Sequence, residues 1–440
     1  MSGSDLNFVV QPGGALTGRI RVPGDKSISH RSIMLGALAD GVTHVSGFLE
    51  GEDSLNTLKA FRAMGARIEG PAEGRVTIHG VGLHGLKAPE QPLDLGNSGT
   101  AMRLMAGVLA GQSFDSTLVG DASLSKRPMR RVIQPLAAMG ARIDSGENGT
   151  CPLRIHGGAS LNGMGYVLPV ASAQVKSCVL LAGLFARGET CTTEPAPTRD
   201  HTERMLAGFG YAVRRDGSRV RLTGGGCLSA TRIDVPADIS SAAFFLVGAS
   251  IAPGSDLLLR HVGMNPTRDG VITLLRLMGA DIEVMNRHEV GGEPVADLRV
   301  RSAGLKGIRI PEDQVPLAID EFPALFVAAA CADGETVLTG AEELRVKESD
   351  RIQSMVDGLQ ALGINAVGTP DGAIIQGGRL TGGRVDSVGD HRIAMAFAMA
   401  ALRASGPVEI TDCGNVNTSF PGFPALARDV GLSITEEIGA

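Results

Sequence analysis

Apolar and polar positions along this chain fall into two alternating patterns, each recurring six times. The first is a run of small, apolar residues closed by glycine and followed by a β-rich stretch. It reads LGALADGVTHVSG (35–47), AGVLAGQSFDSTLVG (106–120), AGLFARGETCTTEP (182–195), VGASIAPGSDLLLR (247–260), VAAACADGETVLTG (327–340) and AALRASGPVEITD (400–412). The second is a helical run that ends in a glycine-containing turn before another strand. It reads LKAFRAMGARIEG (58–70), IQPLAAMGARIDS (133–145), RMLAGFGYAVRR (204–215), LLRLMGADIEV (274–284), GLQALGINAV (358–367) and LARDVGLSI (426–434). The period of roughly 70–80 residues exceeds that of common solenoids and fits one β-α-β-α-β-β unit. Glycine after each helix predicts a left-handed cap, and the alternating Val, Ile and Thr that follow predict half-buried strands. Chance similarity among glycine-rich α/β segments is the competing reading, and strict alternation argues against it. Three units per domain predict an α/β fold of two similar domains, split near Val235-Pro236-Ala237. Helices this rich in small residues suit burial inside a domain with the sheets outside. Met64, Met139 and Met278, at helical spacing, are expected in the core.

Composition narrows the class. The 440 residues allow two or three domains with substantial cores. With 43% hydrophobic and 20% charged residues the chain reads as globular. No apolar run is long enough and free enough of polar residues to span a bilayer. The start has Asp5 and no basic cluster, so neither a secretory signal nor a transit peptide is expected. Six scattered cysteines without metal-ligand spacing read as free thiols in a reducing cytoplasm. A net charge of −6 argues against general nucleic-acid affinity, so any cationic site must be local.

Candidate chemistry gathers at predicted helix starts. In PGDKSISHR (23–31), Lys26, Ser27 and Arg31 stand at or beside a helix N-terminus, where backbone N–H groups and the dipole favour an anion. The spacing is not that of a nucleotide P-loop, and a capped helix with a solvated basic end is the alternative. Ser, Thr, Asp and Asn before other helices are explained in part by capping. The cations are not: Lys26, Arg31, Lys126, Arg127, Lys176, Arg199, Lys347, Arg351 and Arg392 lie near helix starts, where the dipole disfavours positive charge. An anionic ligand that bridges them accounts for the pattern. Asn97-Ser98-Gly99-Thr100 is either a capped turn or a ligand loop, with Gly99 allowing close backbone approach. Lys347 and Arg351, read as i and i+4 on one helix face with Glu348 alongside, favour a site over a solvated charge run. Asp320 and Glu321 either cap their helix or supply a general base in a cationic cleft. His391 is either structural or catalytic.

The segments PGDKSISHR, GNSGTAMRL, GDASLSKRPM, SAQVKS, TRDHTE, RVKESDR and DHRIAMAF, in this order over nearly the whole chain, closely resemble the 5-enolpyruvylshikimate-3-phosphate synthase family. GDASLSKRP, SAQVKS and TRDHTER resemble its bacterial class II branch. The resemblance implies an inside-out α/β barrel of the enolpyruvyl transferase type. It implies an N-terminal three-repeat domain over 23–236 and a C-terminal one over 1–22 and 237–440, with the active site in the cleft between them and domain closure on the first substrate.

The implied reaction moves the enolpyruvyl group of phosphoenolpyruvate to the 5-hydroxyl of shikimate 3-phosphate, without metal or organic cofactor. By motif, Lys26, Ser27, Arg31, Ser172, Ala173, Gln174, Arg199, Asp320 and Lys347 would hold shikimate 3-phosphate. Lys26, Asn97, Gly99, Arg127, Gln174, Arg351 and Arg392 would hold phosphoenolpyruvate, and Asp320, Glu348 and Lys26 would carry the chemistry. Many relatives have a Lys shortly before the C-terminal Phe-Pro; the segment Asn417 to Pro421 has none, so that contact is not expected. Glyphosate competes with phosphoenolpyruvate in this family, and tolerant members can carry Ala where this chain has Gly99. The resemblance further implies a cytoplasmic monomer that binds neither nucleic acid nor membrane. The sister transferase acting on UDP-N-acetylglucosamine usually has Lys-Asn where this chain has Lys26-Ser27, and a loop Cys that the segment 121–128 lacks. A non-catalytic phosphometabolite-binding protein of the same fold is the alternative of another class.

Overall fold

A computed structural model describes residues 6–438. Its helices are α1 (Lys26–Leu38), α2 (Glu52–Ala63), α3 (Gly99–Ala110), α4 (Arg130–Ala138), α5 (Ala173–Gly183), α6 (His201–Gly208), α7 (Ile239–Ile251), α8 (Gly270–Leu277), α9 (Phe322–Ala330), α10 (Arg351–Ala361), α11 (His391–Ala400), α12 (Val416–Ser419) and α13 (Phe423–Asp429). The odd-numbered helices from α1 to α11 are the small-residue type. Every residue of α7, α9 and α11 is buried, which a helix apolar on all sides requires. Helices α2, α4, α6, α8, α10 and α13 are two-faced: in α4 only Val132, Pro135 and Leu136 are buried. Met64, Met139 and Met278 are at most 2% exposed, as core residues should be.

Six sheets lie around these helices, and most share one plan. Leu93–Asp94 runs parallel to Ser116–Val119, with α3 as the crossover, and Leu153–His156 and Arg142–Ser145 follow as an antiparallel pair. Not every repeat is a continuous stretch of chain. Arg232–Asp234, nearly two hundred residues further on, pairs parallel with Val42–Ser46. Thr17–Ile20 pairs parallel with Asp256–Gly263, and Leu6–Val10 inserts between Val408–Thr411 and Ile434–Ile438. The sheet of Glu335–Leu338, Gly372–Gln376 and Asn365–Thr369 has three strands, with isolated bridges from Lys306 to Asp333 and from Arg309 to Val337 in the fourth place.

Two compact units result. One comprises Gly24–Val235 together with Val290–Glu293; the other comprises the chain up to Pro23, Pro236–Glu289 and everything from Pro294. Each has its own hydrophobic core. Assigning all of 237–440 to the second domain thus misplaces Val290–Glu293. These residues group with the first unit because Glu293 pairs with the His201 ring at 2.8 Å and the Gly292 carbonyl accepts from Arg204. No helix of the described residues is long and apolar enough to cross a membrane.

The predicted glycine caps hold for all the two-faced helices: Gly65, Gly140, Gly210, Gly279, Gly363 and Gly431 all have positive φ. They do not hold throughout the buried type. Gly111 has φ −91°, and there glycine is needed for space, since a methyl group would overlap the Phe185 ring. Gly107, inside α3, faces the same constraint against the backbone of α5: a methyl would overlap the Cys178 carbonyl. Gly107→Ala must push two packed helices apart. It is expected to lower stability by about 1–3 kcal/mol, read as a lower urea midpoint; an unchanged midpoint would show that α3 and α5 can separate freely.

Candidate active site

In the unit built around Gly24–Val235, the ends of α1, α3 and α5 carry the predicted polar residues. Asp25 caps α1 by accepting from the Ile28 N–H at 2.9 Å. Lys26 opens the helix and pairs with Asp53 of α2 at 3.1 Å. Arg31 lies a turn further in, 3% exposed, where Nε donates to Thr202 Oγ1, Nη1 to the Ser27 carbonyl and Nη2 to Ser177 Oγ. All these acceptors are neutral oxygens. Burial lowers the Arg31 guanidinium to about 10; Glu203 and Asp25 oppose the shift and Arg199 adds to it.

Ser98 caps α3 through the Ala101 N–H, and Ser172 caps α5 through the Val175 N–H. Asn97 is oriented by its neighbours: its amide donates to Asp121 at 2.7 Å, so its carbonyl accepts from Arg127 Nη2 at 2.6 Å. The Gln174 amide is fixed in the same way, donating to Thr100 Oγ1 at 2.9 Å and accepting from Arg103 Nη1. A methyl on Gly99 would lie 3.0 Å from Arg103 Nη1 and 3.2 Å from Arg127 Nη1. Gly99, Arg103, Arg127 and Gln174 thus belong to one cluster. Ala173 occupies the first residue of α5 and Arg199 is half-buried just before α6. Lys176, grouped above with ligand-bridged cations, is not one of them. It is completely buried between Glu194 at 3.0 Å and Glu203 at 2.8 Å, an internal ion pair.

In the other unit the centre is Arg351, 1% exposed at the first residue of α10. Nε donates to Asp390 at 2.8 Å, Nη1 to Asp320 at 3.1 Å and Nη2 to Glu348 at 2.6 Å. These carboxylates raise the guanidinium's proton affinity beyond what burial removes. Burial alone would raise Asp390, but Arg351 overcomes it and holds that carboxyl below the ordinary range. Lys347 Nζ also reaches Asp320, at 3.5 Å. The helical i, i+4 explanation for Lys347 and Arg351 is wrong. Asp350 caps α10, and Lys347 precedes it in extended backbone after a tight turn over Glu342–Val346. The two cations meet at Asp320 because the loop folds back, not because they share a helix face. Arg392, 8% exposed in the first turn of α11, donates from Nη1 to the Asp320 carbonyl at 3.0 Å. His391 is buried beside it.

Asp320, Glu348, Lys347, Arg351 and Arg392 therefore form one cluster of cations and carboxylates. A profile described as EPSP synthase (3-phosphoshikimate 1-carboxyvinyltransferase) matches residues 10–426. The chain belongs to this family. A curated family member from Methylococcus capsulatus, named 3-phosphoshikimate 1-carboxyvinyltransferase, is 72% identical over 434 residues, 99% of each chain. One of the same name from Alkalilimnicola ehrlichii is 72% identical over 431 residues, 98% of this chain and 97% of its own. A solved EPSP synthase from Acinetobacter baumannii is 60% identical with a TM-score of 0.89, covering 98% of this chain and 100% of its own.

Three members of these clusters escaped sequence reasoning as site residues. Arg103 stands one helical turn after Gly99 on α3, a spacing that places both on one face and could have revealed it. Asp390 looks like a simple cap, and it does accept from the Arg392 N–H at 2.9 Å, but its other oxygen binds Arg351. Asp53 gave no local signal, because its partner Lys26 is 27 residues away.

His30 joins the helix ends from within. It is buried in α1, with Nδ1 2.7 Å from Thr57 Oγ1 and Nε2 3.4 Å from Ser98 Oγ. Burial first, then Lys26 and Arg31, hold it well below 6.5. Below pH 6.5 the unfolded chain therefore gains a proton that the folded chain refuses, and stability falls as pH falls. Thermal midpoints at about pH 7.5 and 5.5 should drop more for the wild type than for His30→Gln. Equal drops would remove His30 as the source.

Proposed function

We infer that the chain transfers the enolpyruvyl group of phosphoenolpyruvate to the 5-hydroxyl of shikimate 3-phosphate and releases phosphate. The observation that carries this reading is the meeting of Lys347 and Arg351 at Asp320, with Glu348 on the same Arg351 guanidinium, in a chain 72% identical to a curated enzyme of that name. The UDP-N-acetylglucosamine transferase is not favoured: the family match runs over residues 10–426, and the segment 121–128 lacks the loop Cys.

Both substrates are phosphorylated carboxylates, which gives the concentrated cations a purpose. Ser27, Arg31, Ser172, Ala173, Gln174, Arg199, Asp320 and Lys347 hold shikimate 3-phosphate, with Lys26 beside them. The buried Arg31 charge, hydrogen-bonded only to neutral oxygens, supports an anion there. Lys26, Asn97, Gly99, Arg127, Gln174, Arg351 and Arg392 hold phosphoenolpyruvate.

In the addition step, Asp320 takes the 5-hydroxyl proton as that oxygen bonds to C2 of phosphoenolpyruvate. Glu348 delivers a proton to C3, with Lys26 also assigned to this step, giving a tetrahedral ketal phosphate. In the elimination step the C2–O bond to phosphate breaks, C3 loses a proton and the double bond re-forms. Arg127, Arg351, Arg392 and Lys26 stabilise the charge that develops on carboxylate and phosphate. The scattered free cysteines fit a reducing cytoplasm, and the chain acts as a monomer.

Phosphate release on mixing both substrates tests the reading. Asp320→Ala should lower kcat by about 10²–10⁴-fold, the scale of a lost general base, while turnover at the wild-type rate would remove Asp320 from that role. Glyphosate binds the phosphoenolpyruvate subsite beside Gly99. A methyl there crowds the ends of Arg103 and Arg127, flexible groups that can yield without unfolding the helix. Gly99→Ala should therefore raise the glyphosate inhibition constant; a constant that does not rise would take Gly99 out of that subsite.

A further inference from the structure

By sequence Glu321 is either a capping residue or a general base, and by structure its side chain caps nothing. It occupies the N-cap position of α9, yet its side chain accepts no capping hydrogen bond. The carboxylate is turned inward, 2% exposed, and Oε1 accepts from Ser240 Oγ in the first turn of α7. Ser240 Oγ in turn accepts from Arg268 Nη2, which also reaches Asp238 at 3.0 Å. A hydroxyl has one proton to give, so with Arg268 donating to it, Ser240 gives that proton to Glu321. The chain of donors runs Arg268 to Ser240 to Glu321 and fixes the carboxylate. Two guanidinium nitrogens then flank it: Arg268 Nη2 at 3.9 Å and Arg392 Nη1 at 4.0 Å.

Arg392 and Arg351 differ in a way that gives this carboxylate a task. Arg351 spends Nε, Nη1 and Nη2 on carboxylates. Arg392 is held through Nη1 alone among the described residues, by the Asp320 carbonyl at 3.0 Å and the charge of Glu321. Its Nη2 and Nε edge remains, the planar fork that suits a carboxylate or phosphate. A long arginine held at a single nitrogen by one neutral carbonyl would swing. A fixed negative charge beside that same nitrogen restricts it.

We propose that Glu321 is a positioning residue for the phosphoenolpyruvate reaction: with Ser240 and Arg268 it sets Arg392 so that its outer edge meets the anion. The proposal rests on the reading of function above, in which Arg392 holds phosphoenolpyruvate. It predicts a signature that loss of a ligand residue does not give. Glu321→Gln keeps an acceptor for Ser240 and removes only the charge. The site then becomes more cationic, so ground-state affinity for the substrate anion is not weakened, whereas the arginine that must track developing charge is no longer held.

The experiment measures phosphate release from phosphoenolpyruvate and shikimate 3-phosphate by the full chain. E321Q should lower kcat by about tenfold, within the coupling range of directly networked side chains, with KM for phosphoenolpyruvate unchanged or lower. R392K should raise that KM, and in the R392K background the E321Q loss of kcat should shrink below about twofold. An E321Q kcat within twofold of the wild type overturns the proposal, as does an equal loss in the R392K background. If E321Q shows no cooperative unfolding, S240A replaces it; both charges then stay and the orienting hydroxyl goes. A smaller kcat loss with unchanged KM supports the proposal, and wild-type kcat overturns it. A silent wild-type chain sinks the functional reading and the proposal together, whereas an active wild type with an indifferent E321Q sinks the proposal alone.

Discussion

The constraint on which the rest depends is that the small-residue helices have no solvent face. A helix buried on every side can present polar groups only at its ends, where the first N–H groups lack intrahelical partners. Capping side chains take some of these: Asp25, Ser98, Ser172, Asp238 and Asp390 all do so. The same ends are the only places where such a helix can carry a charged residue at modest energetic cost. Chemistry therefore collects at the helix starts because burial forbids it elsewhere.

Charge at those ends is balanced in two ways. Where the balance is internal the cation is structural: Lys176, sealed between Glu194 and Glu203, has no charge left to offer. Where the balance is partial, the group remains able to meet an anion. Arg31 hydrogen-bonds to neutral oxygens, and Arg392 is held by one nitrogen. Arg351 lies between these cases, since three carboxylates hold it, and two of them, Asp320 and Glu348, are the groups we propose for proton transfer. Its charge sets their geometry as much as theirs sets its own.

Most of the fold was legible because it repeats. Glycine after each two-faced helix, small residues along each buried one and β-branched alternation in between are local signals, and six copies made them hard to mistake. The exceptions are instructive. Gly111 looked like another left-handed cap, but only the position of Phe185 across the helix pair shows that glycine is there for room. The RVKESDR segment looked helical throughout because charges at i and i+4 imitate a helix face. Asp350 as N-cap starts the helix at Arg351 instead, a boundary that local spacing alone could not fix.

By itself the sequence determined the repeat, the burial of one helix type and the family, because periodicity and motif order are properties of the chain read in a line. It also named nearly all the cations, since a positive charge at a helix start stands out against the dipole. It could not name their partners. Lys26 meets Asp53 across 27 residues, Arg351 meets Asp390 across 39, Arg392 meets the Asp320 carbonyl across 72 and Ser240 meets Glu321 across 81. These pairings depend on which helix ends the sheets bring side by side. Whether a buried charge is neutralised or left able to bind is therefore decided only in the tertiary structure, because electrostatic energy depends on distance in space and not along the chain.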